Sequence, residues 1–490
     1  MKISRIASCV GVTVLSIFGV TAFQAANLKS IQIDAGPEPP QINIEGAANR
    51  LATALRFRTI SHQDTADVAL PFQPFRDFHI WLRSAFPAAH SQMELEMIGG
   101  EGLLFRWPGS DLNLDPILFV SHQDVVPVEP GTEAEWTYPA FEGTIADGYI
   151  WGRGTLDVKS GVCGLLEAAE ALLREGFEPR RDVWFFFGQD EEVMGNRGAR
   201  AAAELLKKRG IRFSWILDEG GFVVEDILTA PLGGRPVAWV NTAEKAYCTL
   251  RLTARGEGGH SSTPPTHTAV GKLASAIHRL EANPFPLEMP QPLLDQFRQL
   301  APECDFLTRW ALSNLWLTEG VLLRRLASDR LTAPFVRTTT AATVFHGGIK
   351  ENVVPQIAEA LVNFRILPGT TPADLMHRVS RLIDNPDIDI EIKEATFPPA
   401  PASTDGPGWV SIAASVRAVY PEAVVVPGIF TAATDSRHFR DLASDVYRFS
   451  GVRLKMADVK GAHGTDERIG VASYAAAVRI LAGIIRHGSG

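Results

Sequence analysis

Three short apolar runs, Ile117 to Val120, Val183 to Phe187 and Trp215 to Leu217, each end within a few residues of histidine or acids. Apolar runs of this length, bounded by polar turns, mark strands buried on both faces, and such strands belong to a largely parallel sheet enclosed by helices. From about Ile44 to Lys245 similar runs alternate with amphipathic stretches, the pattern of an α/β domain. The carboxyl ends of the strands form the ligand-binding edge of an open α/β sheet. Acids and histidines far apart in sequence can therefore converge there.

The chain has 490 residues, and single cores stop growing near roughly 250 to 300 residues, so two domains are expected. Around Tyr247 the pattern changes to strict alternation, with Cys248, Leu250 and Leu252 on one face and Thr249, Arg251 and Thr253 on the other. A helix over Ala269 to Leu280, a strand over Glu359 to Ile366, a helix over Thr371 to Leu382 and a strand over Ile388 to Ile392 complete a small α+β unit. The expected division is a catalytic domain over 40–245 and 399–488, interrupted by an inserted unit over 246–398. Within the insertion, 283–345 reads as an extra helical segment rich in leucine and tryptophan, and the chain closes on an amphipathic helix from Val471 to Arg486.

Residues 1–25 have the layout of a secretory signal: Lys2 and Arg5, an apolar run from Ile6 to Phe23, then a polar stretch from Gln24. Val20 and Ala22 suit cleavage after Ala22, whereas retention would make the run a single membrane anchor. Cleavage points to a secreted or periplasmic protein, and retention to one held by a single N-terminal anchor. Beyond Cys9, which precedes the apolar core, only Cys163, Cys248 and Cys304 occur, so no disulfide framework is implied. A formal charge of −9 and no basic run argue against nucleic acid as a partner.

Five motifs carry candidate chemistry. SHQDVVPV follows the first run, and His122 and Asp124 share one face of extended chain, so a metal-binding imidazole could be oriented by its neighbouring carboxylate. GRGTLDVKSG places Asp157 in a glycine-bounded loop, where one carboxylate could bridge two cations or simply cap the next helix. GQDEEVMG puts Glu191 and Glu192 just after the second run. They could be favourable first-turn acids, or one could bind metal while the other takes a proton from water. LDEGG offers Asp218 at the end of the third run, and KGAHGTDE offers His463 among small residues. Each motif alone has an ordinary reading as surface, turn or cap. Their joint occurrence in this order does not.

Together these residues resemble the aminoacylase, glutamate carboxypeptidase and carboxypeptidase S family of two-zinc metallopeptidases, over nearly the whole chain after residue 25. The resemblance implies a zinc-exopeptidase-like catalytic domain with a mostly parallel sheet and an inserted ferredoxin-like lid and dimerisation domain. It further implies two Zn²⁺ per chain, with Co²⁺ or Mn²⁺ as possible substitutes. His122 and Asp218 would hold one ion, Glu192 and His463 the other, and Asp157 would bridge them, followed by a cis peptide bond. Glu191 would be the general base, and Asp124 would fix the ring of His122.

GEGGHSS carries His260, which by resemblance reaches a neighbouring subunit's site in a homodimer and stabilises the oxyanion. ENVVP carries Asn352, NFR carries Arg365 and ATDSRHF carries Arg437, three candidates for contact with substrate. An arginine fork suits a substrate carboxylate.

The expected reaction is hydrolysis of an amide bond next to a free carboxylate, in a small N-acyl amino acid or short peptide. NLWL, RTTTAAT and HGGIKENVVP look most like the carboxypeptidase S and N-fatty-acyl-amino-acid hydrolase branch. The leucine-rich insertion is then either extra packing over the lid or a groove for an acyl chain. An aminopeptidase or dipeptidase of the same architecture would need an acid for the substrate ammonium, and Arg365 and Arg437 speak against it. A silent binding protein would be marked by loss of Glu191 or a ligand, and none is missing.

Overall fold

Val183–Gly188, Ile117–His122, Trp215–Asp218 and Val446–Arg448 lie side by side and parallel at the centre of a ten-stranded sheet. The computed structural model describes residues 16–61, 72–397 and 400–490. Every residue of the first two strands is buried, as their unbroken apolar runs require. Antiparallel strands Gly102–Trp107 and Glu94–Ile98 extend one side. On the other side Val237–Glu244 pairs antiparallel with Val446–Arg448 and parallel with Val424–Phe430. The sheet is thus parallel at its centre and mixed towards its edges.

Helices cover both faces. Lys159–Arg174, Val471–Ser489, Pro407–Val419 and Ile44–Ala54 pack on one another over a large core containing Phe119, Trp215 and Trp409. Ala199–Lys208 covers the opposite face, through Ala202 and Leu206 against Phe186 and Ile216. Burying one such large apolar side chain contributes about 1.5 to 3 kcal/mol, which makes these two layers the main source of stability.

The inserted unit has its own antiparallel sheet, in the order Thr339–Gly347, Ile357–Ile366, Ala246–Arg255, Ile388–Ala395. Its alternating positions are real: Cys248, Leu250 and Leu252 are fully buried, and they meet Phe364, Val362 and Ala360 across the ladder. Ala269–Ala282 and Pro372–Ile383 cover this face, with Leu273, Ala276, Leu375 and Val379 in the core. Thr371 and Asp374 form a capping box that fixes the start of the second helix. Only Lys245 separates the last residue of the catalytic strand Val237–Glu244 from the first of the lid strand Ala246–Arg255. Its buried Nζ donates to the carbonyls of Pro334 and Arg337, both at 2.7 Å, so this junction is tied to the insertion.

The segment 283–345 differs from its expected all-helical form. Gln291–Leu300, Phe306–Ser313 and Leu315–Ala327 are helices, but Thr339–Gly347 is an edge strand of the lid sheet. Nor does the segment simply cap the lid: Leu300 and Cys304 pack on Val424 and Val426 of the large sheet. Cys163, Cys248 and Cys304 are free and buried. Among the described residues no helix is long and apolar enough to cross a membrane. The expected apolar run Ile6 to Phe23 lies partly outside the described residues, which contain a helix over 16–26.

Candidate metal centre and active site

His122 is the last residue of its strand, and the parallel neighbour ends at Gly188, directly across the ladder. Sheet geometry therefore brings His122 beside the turn Glu191–Val193. The imidazole is almost completely buried. Its Nε2 faces Asp157 Oδ1 at 3.1 Å and Glu219 Oε1 at 3.3 Å. The other oxygen of Asp157 faces His463 Nε2 at 3.0 Å, and that nitrogen lies 3.1 Å from Glu192 Oε2. Asp157 thus stands between two clusters, His122–Asp157–Glu219 and Asp157–Glu192–His463, each with ligand atoms close enough to hold one ion.

The expected ligand Asp218 is not in either cluster. As the last residue of its strand, it directs its carboxylate to the backbone N–H groups of Glu219 and Ser436, at 2.8 and 2.7 Å. The adjacent Glu219, beyond the end of the strand, faces His122. Both acids are present in LDEGG, and sequence spacing alone does not distinguish them.

Asp124 serves more than the ring of His122. Nδ1 of that ring lies 3.0 Å from the Asp124 carbonyl and 3.4 Å from its carboxylate. The carboxylate accepts from Ser61 Oγ at 2.6 Å and from the backbone N–H groups of Glu191 and Glu192 at 3.2 and 3.1 Å. One buried acid therefore fixes both the imidazole and the acidic pair. Glu467, which sequence reasoning quoted without a role, does the same for the Asp157 loop. It is fully buried and accepts from Arg153 Nη1 at 2.7 Å and from the N–H groups of Gly154, Leu156 and Asp157. It lies four residues after His463 and so joins the two loops that supply the second cluster. The bond from Asp157 to Val158 is cis.

The electrostatics follow from packing charges together. Burial alone would lower the pKa of His122, but Glu219, Asp124 and Asp157 overcome it and raise the pKa well above its ordinary value. Asp157 and Glu192 push the His463 pKa up to about 10. Burial would raise Asp157, yet the two imidazoles hold it below the usual carboxylate range. Burial pushes Glu219 up to about 7 and raises Glu192. Imidazoles and carboxylates gathered this closely form a donor set for a cation, and among the described residues Glu192 Oε1 is buried with no hydrogen-bond partner. The residues fit divalent ions.

Glu191 belongs to neither cluster. Burial, with Asp435 and Glu219 nearby, raises its pKa well above the usual carboxylate value against the pull of His122 and Arg437. Arg437 Nη1 lies 3.4 Å from Glu191 Oε1 and donates to the Thr434 carbonyl at 2.9 Å, while its Nε and Nη2 are buried without hydrogen-bond partners among the described residues. Asp435 is also buried, and neither of its oxygens has a hydrogen-bond partner among the described residues. Side chains at two positions would obstruct it: a Cβ at Gly188 would come within 2.5 Å of its carboxylate and one at Gly195 within 2.1 Å. Arg365 stacks over Tyr247 at 4.9 Å on the lid sheet, in the same electrostatic neighbourhood as Arg437 and Glu244. His260 and Asn352 are brought together elsewhere, on the exposed ribbon Gly259–His260 and Val353–Val354, where Ser261 N–H donates to the Asn352 carbonyl. No described contact joins either residue to the two clusters.

A histidine and carboxylate centre at the strand ends of an α/β domain, with an inserted lid, defines a metal-dependent hydrolase. The comparisons agree with that class. The model of Peptidase family M20/M25/M40 matches residues 118–487, and the chain belongs to this family. It is 38% identical over 436 residues to a probable carboxypeptidase S-like 2 of Dictyostelium discoideum, covering 87% of this chain and 82% of that protein. It is also 38% identical over 424 residues to an N-fatty-acyl-amino acid synthase/hydrolase of Xenopus tropicalis, covering 86% and 81%. The fold is similar to that of an M20 family metallo-carboxypeptidase from Sulfolobus solfataricus, with a TM-score of 0.62 and 18% identity over 90% of this chain and 99% of that one. The protein is thus a metallopeptidase-type hydrolase, and its family implies a divalent metal.

Proposed function

We propose that this protein hydrolyses the amide bond of an N-acyl amino acid or short peptide next to a free carboxylate, using two divalent ions. Asp157 carries the proposal, because its two oxygens face the imidazoles of two different clusters, at 3.1 and 3.0 Å. His122 and Glu219 would hold one ion and His463 and Glu192 the other, with Asp157 a member of both clusters. Bound divalent ions, zinc by family resemblance, supply acidified water and polarise the scissile carbonyl.

The chain's own residues do the rest. Glu191, left free of both clusters, takes the proton from the attacking water and passes it to the departing nitrogen as the C–N bond breaks. Its raised pKa suits both halves of that exchange. Arg437 has two donor nitrogens without a hydrogen-bond partner among the described residues and a fork geometry for the substrate carboxylate, with Arg365 contributing positive charge from the lid. His260 and Asn352, exposed on the lid ribbon, are left to serve the site of a second subunit in a homodimer.

Glu191→Gln tests the central assignment. The variant keeps its metal content and loses about 10²- to 10⁴-fold in turnover, the range for a general base. Near-normal turnover of the Gln variant would remove Glu191 from this role.

A further inference from the structure

The helix Leu315–Ala327 is apolar around most of its circumference. One face carries Leu315, Leu322, Leu323 and Leu326, which pack on Leu293, Phe297 and Val336 of the insertion. The opposite face carries Trp316, Leu317 and Val321, which are 69%, 51% and 62% exposed. A surface helix ordinarily confines its apolar residues to the stripe that faces the core. Here the outward face is apolar too, over its first two turns.

The charged residues on this outward half are Arg324 and Arg325, while exposed Glu319 borders it one turn from Trp316. At helical spacing Arg324 and Arg325 follow Leu317 and Val321 on the same side, both are exposed, and neither has a salt-bridge partner among the described residues. Leu307, 75% exposed on the preceding helix Phe306–Ser313, adds to the apolar surface. The described N-terminal helix, residues 16–26, lies against that same preceding helix. The Phe18 ring is 5.7 Å from that of Trp310, and Trp310 Nε1 donates to Thr21 Oγ1 at 3.0 Å. That helix turns Val20 and Phe23 outwards, 58% and 71% exposed. Two neighbouring elements thus present large apolar side chains to solvent.

We propose that the outward face of Leu315–Ala327 docks on the surface of an anionic phospholipid bilayer. Trp316, Leu317 and Val321 enter the boundary between headgroups and acyl chains, and Arg324 and Arg325 meet lipid phosphates. Tryptophan with aliphatic residues on one face, and arginine at its end, is the composition of a helix that lies in the interface plane. The exposed positive pair complements the anionic headgroups of such a bilayer. The inference is independent of the catalytic reading, because none of these residues touches either metal cluster.

The test is co-sedimentation of the full chain with vesicles of phosphatidylcholine, with and without phosphatidylglycerol. The intact protein binds, and more strongly to the anionic vesicles. Trp316→Glu/Val321→Glu lowers partitioning about tenfold or more on both, since each change replaces buried apolar area with a charge. Arg324→Gln/Arg325→Gln loses the anionic preference alone. All variants keep the thermal midpoint of the parent and its turnover of a short, soluble N-acyl amino acid, and Leu317→Glu repeats the partitioning loss from a neighbouring position. Undiminished binding of the Trp316 and Val321 variant would assign vesicle binding to the N-terminal helix and overturn the proposal. So would a parent that fails to bind vesicles but sediments as a dimer which the same variant dissociates.

Discussion

Exchanging the roles of Asp218 and Glu219 gives the sharpest test of the centre, because the two acids are adjacent in sequence but opposite in consequence. Asp218 accepts two backbone N–H groups, at 2.8 and 2.7 Å, and is 2% exposed. Asp218→Ala leaves those donors buried without a partner, each at about 1 to 3 kcal/mol, so a loss of about 2 to 6 kcal/mol in unfolding free energy is expected. Glu219 has no backbone donor to satisfy, and its described partner is His122 at 3.3 Å. Glu219→Gln should therefore leave stability of the metal-free protein near the parent value while weakening one metal site. Outer partners of metal ligands typically change affinity by about 10- to 100-fold, so removal of a ligand should exceed about 10²-fold. Metal content after dialysis against buffered zinc, with chemical denaturation of the stripped proteins, reads both effects. If Asp218→Ala lost an ion at unchanged stability while Glu219→Gln kept both ions, the assignment of Glu219 as ligand would be refuted.

Three further outcomes are expected. A C-terminally amidated substrate should lose about 10²-fold or more in kcat/KM, with most of that penalty absent in Arg437→Ala, where the guanidinium is already gone. Burial, reinforced by Arg437, lowers His438 from its ordinary value to about 4. The unfolded chain therefore binds the proton first, so stability present above about pH 6.5 is lost as pH falls towards 4. His438→Gln should lose less stability than the parent between pH 7.5 and 4.5, by an amount on the order of 2 kcal/mol in urea titrations. Finally, mixing inactive His260→Ala with inactive Glu191→Gln should restore some activity on subunit exchange, and a fully active monomer in sedimentation would contradict the trans role of His260.

Local pattern determined much of this protein. The unbroken apolar runs ending at His122, Gly188 and Asp218 specify strands buried on both faces, and period-two alternation after Tyr247 specifies a sheet with one covered face. Motif order singled out His122, Asp157, Glu192 and His463, and the structure brings these four into the two clusters. What local pattern could not decide was the direction of a side chain at the point where an element ends. Asp218 turns away from His122 because Ser436, 218 residues later, offers it a backbone donor, and Glu219 is left to face the imidazole. Glu467 acquires its role in the same way, by accepting N–H groups from a loop more than 300 residues earlier. The segment 283–345 likewise showed its apolar content, while its division between the edge of the large sheet, a lid strand and an outward apolar face depends on neighbours remote in sequence. Periodicity is a property of consecutive residues. Hydrogen-bond satisfaction at a chain turn is set by whichever distant donor the closed fold brings within 3 Å, and only the tertiary structure decides that.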